Sequence, residues 1–372
     1  MSARRWRPGR IVNRQSAIVN RMARSNSAIV NWSQYLAVRA VTGFIQCFDV
    51  NQNLETAGLV GSIFGTLTPK RCARAADNIR ASFPDWPEDR IQRTAFESIR
   101  HMFQLFMVES MISPRLISPS SWSKYVRVGD VSGLLDLLLR GEPAIFVTGH
   151  CGNWELLGCV LASIGYPLVA LARPLDNSLI NDWLMGIREA RGMTIVTKWG
   201  ATPILQDTLR SGGRLGFIAD QNAGDQGLFV PFFGRFASAY KSIGLLAMRY
   251  NVPIVAGAAK RMGDRFQYEL HFADLIRPQD WADQPDPLFY ITARYTRAIE
   301  TMVRNAPDQY LWIHRRWKSR PKFIRDGHAM PSRLVHKIEQ LPWMTQAERD
   351  WIVGNAEREV AAAKAGDDQR KS

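Results

Sequence analysis

The fold of this chain is best predicted from residues 144–158, AIFVTGHCGNWELLG. The first five of these residues are apolar or β-branched and predict a short buried strand, and apolar residues recur at helical spacing from Asn153 onward. His150 follows directly after Gly149, between these two patterns. The sequence therefore predicts a strand, a tight turn that carries a histidine, and a helix.

The same alternation continues along the chain after this stretch. Strands are expected at 144–148, 167–172, 194–197, 214–219 and 253–259, with helices at 153–164, 178–191, 202–210 and 240–250. This order predicts an α/β fold with a mostly parallel central sheet flanked by helices. Because ligands of such sheets bind beyond the carboxyl ends of the strands, we expect His150, Arg173 and Asp220 to share one cleft.

His150 and Glu155 form a candidate catalytic pair, because four residues separate them across the turn. Glu155, in the first turn of the helix, can reach the second ring nitrogen of His150, and a histidine held in this way can take a proton from an alcohol. The backbone amides of Gly152 and Asn153 are the expected oxyanion donors. The alternative is that His150 and Glu155 cap the helix and carry no chemistry.

Further polar residues at the predicted cleft are candidates for substrate binding. Arg173 ends a strand, where it can hold a phosphate in a bidentate fork or form a salt bridge with Asp220. Asp220 and Gln221 end another strand and are expected to position the His150 turn or an acceptor hydroxyl. No second carboxylate lies near Asp220 at ligand spacing, so no metal site is expected.

Two aromatic segments lie further along the chain. Phe232 and Phe233 are candidates for the wall of a channel for an apolar chain, with core packing as the alternative. In residues 312–320, aromatic rings alternate with cations, a pattern that favours phosphate binding at a membrane interface. A stacking platform for nucleic acid is the competing interpretation, but no known binding module accompanies it. The candidate phosphate-binding residues are His314, Arg315 and Lys318.

Composition narrows the class of protein. The 372 residues, 46% of them hydrophobic, suffice for one large domain with extensions. The four cysteines lack metal-type spacing and indicate no disulfide framework, which fits a reducing environment. The formal charge of +14 favours a polyanionic partner, which can be a nucleic acid, an acidic membrane surface or an acidic protein.

The chain divides into four predicted regions. Residues 1–34 carry seven arginines and no acid, and are expected to be a disordered arm or a basic amphipathic helix on anionic lipid. Residues 35–75 are expected to be a membrane-associated pair of helices, each too short to span a bilayer, with two core helices as the alternative. Residues 76–330 form the predicted catalytic domain, and 331–372 an exposed helix followed by a disordered tail.

Four blocks of sequence resemble, in the same order, those of the late bacterial lipid A biosynthesis acyltransferases, within the wider lysophospholipid acyltransferase-like superfamily. The blocks are GHCGNWELLG at 149–158, ARPLDN at 172–177, DQN and VPFFG within 220–234, and PDQYLWIHRRWKSRP at 307–321. The first block contains the histidine-x4-acid motif, and the second adds Asn177 to the expected substrate-binding residues. The resemblance covers roughly residues 30–325.

This resemblance implies an O-acyltransferase that moves a fatty acyl chain from acyl carrier protein, or coenzyme A, to a hydroxyl of a lipid A-type glycolipid, without a cofactor. His150 would deprotonate the hydroxyl and Glu155 would orient His150, although Cys151 leaves a covalent route open. The expected partners are the lipid acceptor, an acidic acyl carrier protein and an anionic membrane surface, and no nucleic acid. The expected location is the inner membrane, with the catalytic domain on the cytoplasmic side.

Two alternatives stay open at the level of sequence. Within the enzyme class, the acceptor can be a phosphatidylinositol mannoside or another glycolipid or phospholipid. Outside it, the chain can be a non-catalytic, membrane-associated protein that binds polyanions. The acyl chain length and the choice of donor also stay open.

Overall fold

The structure, a computed structural model, describes residues 28–172, 174–189, 192–197 and 200–371, with side chains described to residue 365. Arg173 and most of the basic arm at 1–34 lie outside the described residues. The described chain begins with a run of helices. These are α1 Ala28–Ile45, α2 Val50–Leu67, α3 Pro69–Ser82, α4 Glu88–Gln104, a π-helical turn Leu105–Glu109, and α5 Ser110–Leu116.

A membrane-associated pair of helices was predicted within 35–75. Helices α1 and α2 lie there, although α1 begins earlier, at Ala28, and their association with a membrane stays a prediction. None of the described helices is both long and apolar enough to cross a membrane. Both helices leave large apolar side chains exposed to solvent. These side chains are Ile29, Trp32, Leu36, Val41 and Phe44 on α1, and Leu59, Ile63 and Leu67 on α2.

Strands and helices alternate in the next part of the chain. They are β1 Val126–Val128, α6 Ser132–Arg140, β2 Ala144–Thr148, α7 Trp154–Ser163, β3 Val169–Ala172, α8 Ser178–Glu189, β4 Thr194–Thr197, α9 Ala201–Arg210 and β5 Arg214–Ile218. A hairpin, the last two strands of the sheet and the final helices follow. They are β6 Leu228–Phe232, β7 Arg235–Ala239, α10 Lys241–Tyr250, β8 Ile254–Arg261, β9 Tyr268–Ile276, α11 Pro278–Ala282, α12 Pro287–Asn305, α13 Lys322–Arg325, α14 Ser332–Glu339 and α15 Gln346–Lys371.

The central sheet has the order β1-β9-β8-β2-β5-β3-β4, and all neighbouring strands are parallel except β8 and β9. This arrangement confirms the predicted α/β fold and the five predicted strands. Strand β2 is buried along its whole length, because it lies between β8 and β5 in the middle of the sheet. Strands β1 and β9 and the separate β6–β7 hairpin were not predicted.

The carboxyl-terminal helix α15 differs from the predicted exposed helix. Ile352 and Ala356 are buried, and the ring of Trp351 lies over Gly234 in the β6–β7 turn. Asn355 Nδ2 donates a hydrogen bond of 2.8 Å to the carbonyl of Gly234. The helix continues to Lys371 where a disordered tail was expected, and it packs on the hairpin.

Candidate active site

The register of β2 and β5 brings two chain segments together at one edge of the sheet. Thr148 pairs with Ile218, so His150 and Asp220 each lie two residues beyond the paired ends. Gly149 permits this close approach, because a Cβ atom there would lie 2.7 Å from Cγ2 of Ile299 and 3.5 Å from Cγ of Asp220. The predicted meeting of His150 and Asp220 at the strand ends is therefore confirmed.

A single buried carboxylate holds His150. Oδ1 of Asp220 lies 2.6 Å from Nδ1 of the imidazole, and Oδ2 accepts the backbone N–H of His150 at 2.9 Å. The imidazole retains 15% of its exposure, whereas the carboxylate retains 3%. Because Asp220 accepts a hydrogen bond from Nδ1, the neutral ring has its free electron pair on Nε2, which is the atom able to take a proton.

The electrostatics of this pair favour an ionised carboxylate beside a basic imidazole. Burial opposes protonation of His150, but the charge of Asp220 and its hydrogen bond outweigh burial and raise the pKa of the imidazole. Burial likewise opposes ionisation of Asp220, but the charge and hydrogen bonds of His150, helped by Arg316, lower the pKa of the carboxyl to about 2. Such a carboxylate stabilises the imidazolium that forms when Nε2 takes a proton.

Besides Asp220, two side chains contact the imidazole ring of His150. Nε2 of Gln221 is 3.3 Å from Nε2 of His150, where the amide can donate a hydrogen bond to the free ring nitrogen. The indole of Trp154 packs edge-on against the imidazole, with 4.8 Å between ring centroids. A hydroxyl that displaced the Gln221 amide would therefore meet the base directly.

The predicted contact between Glu155 and the imidazole is wrong. Arg188 donates to both carboxylate oxygens of Glu155, from Nη2 at 2.5 Å and from Nε at 3.0 Å. The alternative that His150 and Glu155 cap α7 is also wrong, because Asn153 caps it and accepts the Leu156 N–H at 2.8 Å. Glu155 pairs with the last turn of α8, and its catalytic role stays a prediction.

The predicted oxyanion donors are engaged inside the protein. The N–H of Gly152 donates to the carbonyl of Gln309 at 3.0 Å, and the N–H of Asn153 donates to the carbonyl of Ala259 at 2.8 Å. Gly152 has φ +61°, and a Cβ there would overlap the Ala259 carbonyl oxygen. Both amides are therefore hydrogen-bonded to backbone carbonyls, one of Gln309 and one of Ala259 in β8. The prediction that they are oxyanion donors is wrong.

Asn177 is a structural residue rather than part of the cleft. Its Oδ1 accepts the N–H groups of Leu179 and Ile180 at the start of α8, at 3.0 and 3.2 Å. Its Nδ2 donates to the carbonyl of Asn31 and to Oε1 of Gln34, both on α1. These bonds leave Asn177 no free group for a substrate, so this predicted binding residue caps one helix and ties it to another.

The basic block at 312–320 lies close to His150 and Asp220. Burial lowers the pKa of His314, the nearby charge of Asp220 opposes this, and the charges of His150 and Arg316 lower the pKa further. Arg316, which was not predicted as a functional residue, is buried and donates to the carbonyl of Ser238 at 2.5 Å. The other two predicted phosphate-binding residues, Arg315 and Lys318, are exposed, and their role stays a prediction.

Phe232 and Phe233 belong to the core and not to a channel. Both have 0% of their surface exposed. Phe233 packs against Trp312 and Phe232 against Trp317, each with 5.7 Å between ring centroids. The predicted channel role is therefore wrong, and the alternative of core packing is confirmed.

A different apolar cavity, of about 140 Å³, lies between the sheet and α7. Trp154 lines it, and this is the same ring that contacts His150. Among the described residues that line it, the charged side chains are Glu155 and Arg188. The cavity could not be predicted from sequence, because its lining residues have the apolar pattern of an ordinary hydrophobic core. Its aliphatic and aromatic walls include Leu134, Phe146, Leu157, Leu161, Leu168, Met193, Phe217 and Phe272.

Cys151 is poorly suited to act as a nucleophile. Burial, with added repulsion from the charges of Asp220 and Asp308, raises the pKa of its thiol far above the usual range. The thiolate that a covalent route would require is therefore strongly disfavoured.

Comparison with known proteins identifies the family of this chain. The sequence pattern of the family "Bacterial lipid A biosynthesis acyltransferase" matches residues 21–319. A lipid A biosynthesis acyltransferase of Haemophilus influenzae is 23% identical over 264 residues, which are 70% of this chain and 79% of the relative.

Two relatives from Escherichia coli extend the comparison. The lipid A biosynthesis palmitoleoyltransferase is 26% identical over 277 residues, 70% of this chain and 83% of the relative. The lipid A biosynthesis myristoyltransferase is 24% identical over 305 residues, 78% of this chain and 88% of the relative. Because the family pattern covers most of the chain, this protein belongs to the bacterial lipid A biosynthesis acyltransferase family and is an acyltransferase.

Proposed function

We propose that this protein transfers a fatty acyl chain from a thioester, carried by acyl carrier protein or coenzyme A, to a hydroxyl of a lipid A-type glycolipid. The observation that carries this proposal is the buried Asp220–His150 pair, whose imidazole packs against Trp154, a residue that lines an apolar cavity. The names of the relatives support the acceptor class, and they differ in the acyl group transferred.

In the proposed mechanism, Nε2 of His150 takes the proton of the acceptor hydroxyl while the oxygen attacks the thioester carbonyl. Asp220 holds the ring and stabilises the imidazolium through the 2.6 Å hydrogen bond. The tetrahedral intermediate then collapses, the carbon–sulfur bond breaks, and the imidazolium returns its proton to the departing thiolate. The products are the ester and the free thiol of the donor.

The apolar cavity is the proposed binding site for the acyl chain. A buried methylene gains about 0.8 kcal/mol, so an apolar pocket next to the base selects the hydrocarbon part of the donor. For the oxyanion we propose the side-chain amide of Gln221, because the amides of Gly152 and Asn153 are already bonded. The Glu155–Arg188 pair supplies the polar wall of this cavity.

We also propose that α1 and α2 attach the protein to the cytoplasmic face of the inner membrane without crossing it. The exposed apolar side chains of these helices support this, as do the adjacent Lys70, Arg71 and Arg74 for anionic headgroups. The formal net charge of +14 also suits the binding of an acidic acyl carrier protein.

The test is lipid mass spectrometry on membranes incubated with acyl carrier protein that bears 12-, 14- or 16-carbon chains. The intact protein is expected to add the mass of one acyl group to a lipid A precursor, and His150→Ala is expected to add none while melting at the same temperature. No mass gain with the intact protein, or an equal gain with the variant, contradicts the proposal.

A further inference from the structure

A second cleft, of about 390 Å³, lies between α1, α5 and α8, away from the catalytic edge. Its described lining contains two arginines, Arg39 and Arg115, and no carboxylate. The other lining residues are uncharged. They are Thr42, Gly43, Gln46, Met111, Pro114, Trp183 and Ile187.

The two guanidinium groups are held in place without an acidic partner. Arg39 lies over the ring of Trp183 at 5.2 Å and donates to the hydroxyl of Tyr35 at 2.8 Å. Arg115 is within 3.4 Å of both oxygens of Gln46, a marginal hydrogen-bonding distance. Neither arginine forms a salt bridge with any residue in the described part of the chain. Two arginines in one cleft, whose charge no carboxylate in the described part of the chain compensates, are suited to binding a phosphate.

The surroundings of the cleft indicate a phosphate that is attached to a lipid. Leu36 and Phe44 flank Arg39 on α1, and more than half of each side chain is exposed. A free anion would gain nothing from these apolar surfaces, whereas an amphipathic lipid buries its chains on them while its phosphate meets the arginines.

The walls of the cleft also contact the catalytic site. Ser113 of α5, next to Pro114, lies 3.4 Å from Nδ2 of Asn153 in the catalytic turn. Arg188 of α8, next to Ile187, binds Glu155 at the acyl cavity. A lipid held in the cleft is therefore one helix away from the cavity that would receive the acyl chain.

We propose that Arg39 and Arg115 bind a phosphate group of the glycolipid acceptor and so place its sugar hydroxyl toward His150. This inference rests on the proposed acceptor class, and it adds this cleft to the phosphate-binding residues predicted from sequence, which are Arg173, His314, Arg315 and Lys318. Loss of the site is expected to raise the KM for the acceptor and to leave kcat and the KM for the donor nearly unchanged.

The experiment compares a lipid A precursor with the same lipid after phosphatase treatment, in mixed micelles. Arg39→Ala/Arg115→Ala is expected to weaken binding and raise KM for the phosphorylated lipid by about tenfold or more, with changes below about twofold for the treated lipid. Gln46→Glu, which keeps both arginines but adds an acid to the cleft, is expected to act in the same direction. Arg127→Ala/Arg249→Ala removes two exposed arginines outside the cleft and is the charge-matched control.

Direct binding is measured beside activity, so that failure of this inference is distinguishable from failure of the proposed reaction. If the intact protein binds the phosphorylated lipid more tightly and the cleft variants do not, the inference stands even where no acyl transfer is detected. An equal loss for both lipids, or an equal loss in the control, overturns it. A loss of binding that appears only with phosphatidylglycerol vesicles, and not with the lipid A precursor, also overturns it.

Discussion

At position 220, one carboxylate bonds both the ring and the backbone of His150. This double contact does two things that a neutral residue could do only in part. It selects the tautomer whose base is Nε2, and it supplies the negative charge that stabilises the imidazolium. The charge therefore influences the pH dependence of the reaction as well as its rate.

Asp220→Asn separates these two contributions. We expect kcat to fall about 10²- to 10⁴-fold, because the amide orients the ring poorly and cannot stabilise its charge. The raised pKa of His150 puts the acidic limb of kcat/KM above that of an ordinary histidine, since a general base is lost when pH falls through its pKa. In the variant this limb is expected to move to lower pH, as measured in pH profiles of acyl transfer.

Glu155→Gln is the matched control for that profile. It removes the carboxylate that pairs with Arg188 and leaves the hydrogen bonds of His150 intact. We expect the acidic limb of kcat/KM to stay in place, whatever the change in rate. A limb that moves with Glu155→Gln and not with Asp220→Asn would restore Glu155 as the partner of His150.

Local pattern predicted His150 and the turn that carries it, because a strand, a glycine and a helix start are visible within residues 144–158. The partner of His150 was not visible there, since the Asp220 contact depends on the register of β2 against β5. The amides of Gly152 and Asn153 donate to the carbonyls of Gln309 and Ala259, which are distant in sequence, so local pattern could not show that these amides are already bonded. Residue spacing alone could not distinguish Asp220 from Glu155.

Among the elements, helix α7 limits the size of the apolar cavity that we propose for the acyl chain. Gly158 faces Met193, and a Cβ on Gly158 would lie 2.7 Å from Cε of that methionine. Both residues line the cavity. The flexible methionine thus occupies space that a longer hydrocarbon chain would need.

Met193→Ala is expected to shift the preferred acyl donor toward longer chains. Each additional buried methylene is worth about 0.8 kcal/mol, which is close to a fourfold change in kcat/KM. The measurement is a competition between acyl carrier proteins bearing 12-, 14- and 16-carbon chains, read by mass spectrometry of the lipid product. Leu205→Ala is the control, because it is a buried truncation outside the cavity. An unchanged preference in Met193→Ala would place the acyl chain elsewhere.

The π-helical turn between α4 and α5 directs Glu109 into the protein. Glu109 accepts a 2.8 Å hydrogen bond from Arg261 at the end of β8, and both side chains are buried. Gln104 accepts a second bond from Arg261 at 2.5 Å. Strand β8 also carries Ala259, the acceptor for the Asn153 amide, so this ion pair anchors the support of the catalytic turn.

Glu109→Gln is expected to lower the free energy of unfolding by about 3–5 kcal/mol, because it leaves the Arg261 charge buried and unpaired. Glu109→Met/Arg261→Met is expected to recover most of that loss, since no charge remains to be desolvated. Urea unfolding of Glu109→Met, Arg261→Met and the double variant measures the coupling. Additive losses in the double variant would show that the pair contributes no coupling to stability.

Regular elements with strong periodicity were predictable, and weakly patterned ones were not. The five predicted strands are central or well patterned, whereas β1 has only three residues with two of them exposed. Strand β9 alternates polar and apolar residues and pairs with β8 in the antiparallel sense, outside the repeating strand–helix order. For Phe232 and Phe233, sequence could not distinguish a channel wall from core packing, because their burial depends on tryptophans some 80 residues away.

At the scale of the whole molecule, the exposed apolar surface of α1 and α2 lies outside the catalytic sheet and has no cover in the described structure. Phe44 and Leu59, on the two helices, are 67% and 61% exposed. A surface of this kind on a lipid-modifying enzyme favours contact with a bilayer.

Phe44→Asp/Leu59→Asp is expected to weaken binding to anionic phospholipid vesicles by about 10²-fold or more, because burial of each side chain contributes about 1.5–3 kcal/mol. Vesicle flotation at low and high salt is the measurement, and the apolar contribution is expected to persist when salt screens the basic residues. Leu139→Asp is the matched control, a highly exposed leucine on α6. Equal flotation of all three proteins would contradict the proposed membrane face.

The Trp351 ring over Gly234 has a consequence for where the protein can be shortened. The family pattern ends at residue 319, yet the indole rests on a hairpin inside the matched region, and Glu359 forms an ion pair with Arg320 just past its end. A chain cut at the family boundary would leave that hairpin without its cover. We therefore expect a chain that ends at residue 319 to have a lower free energy of unfolding than the full chain.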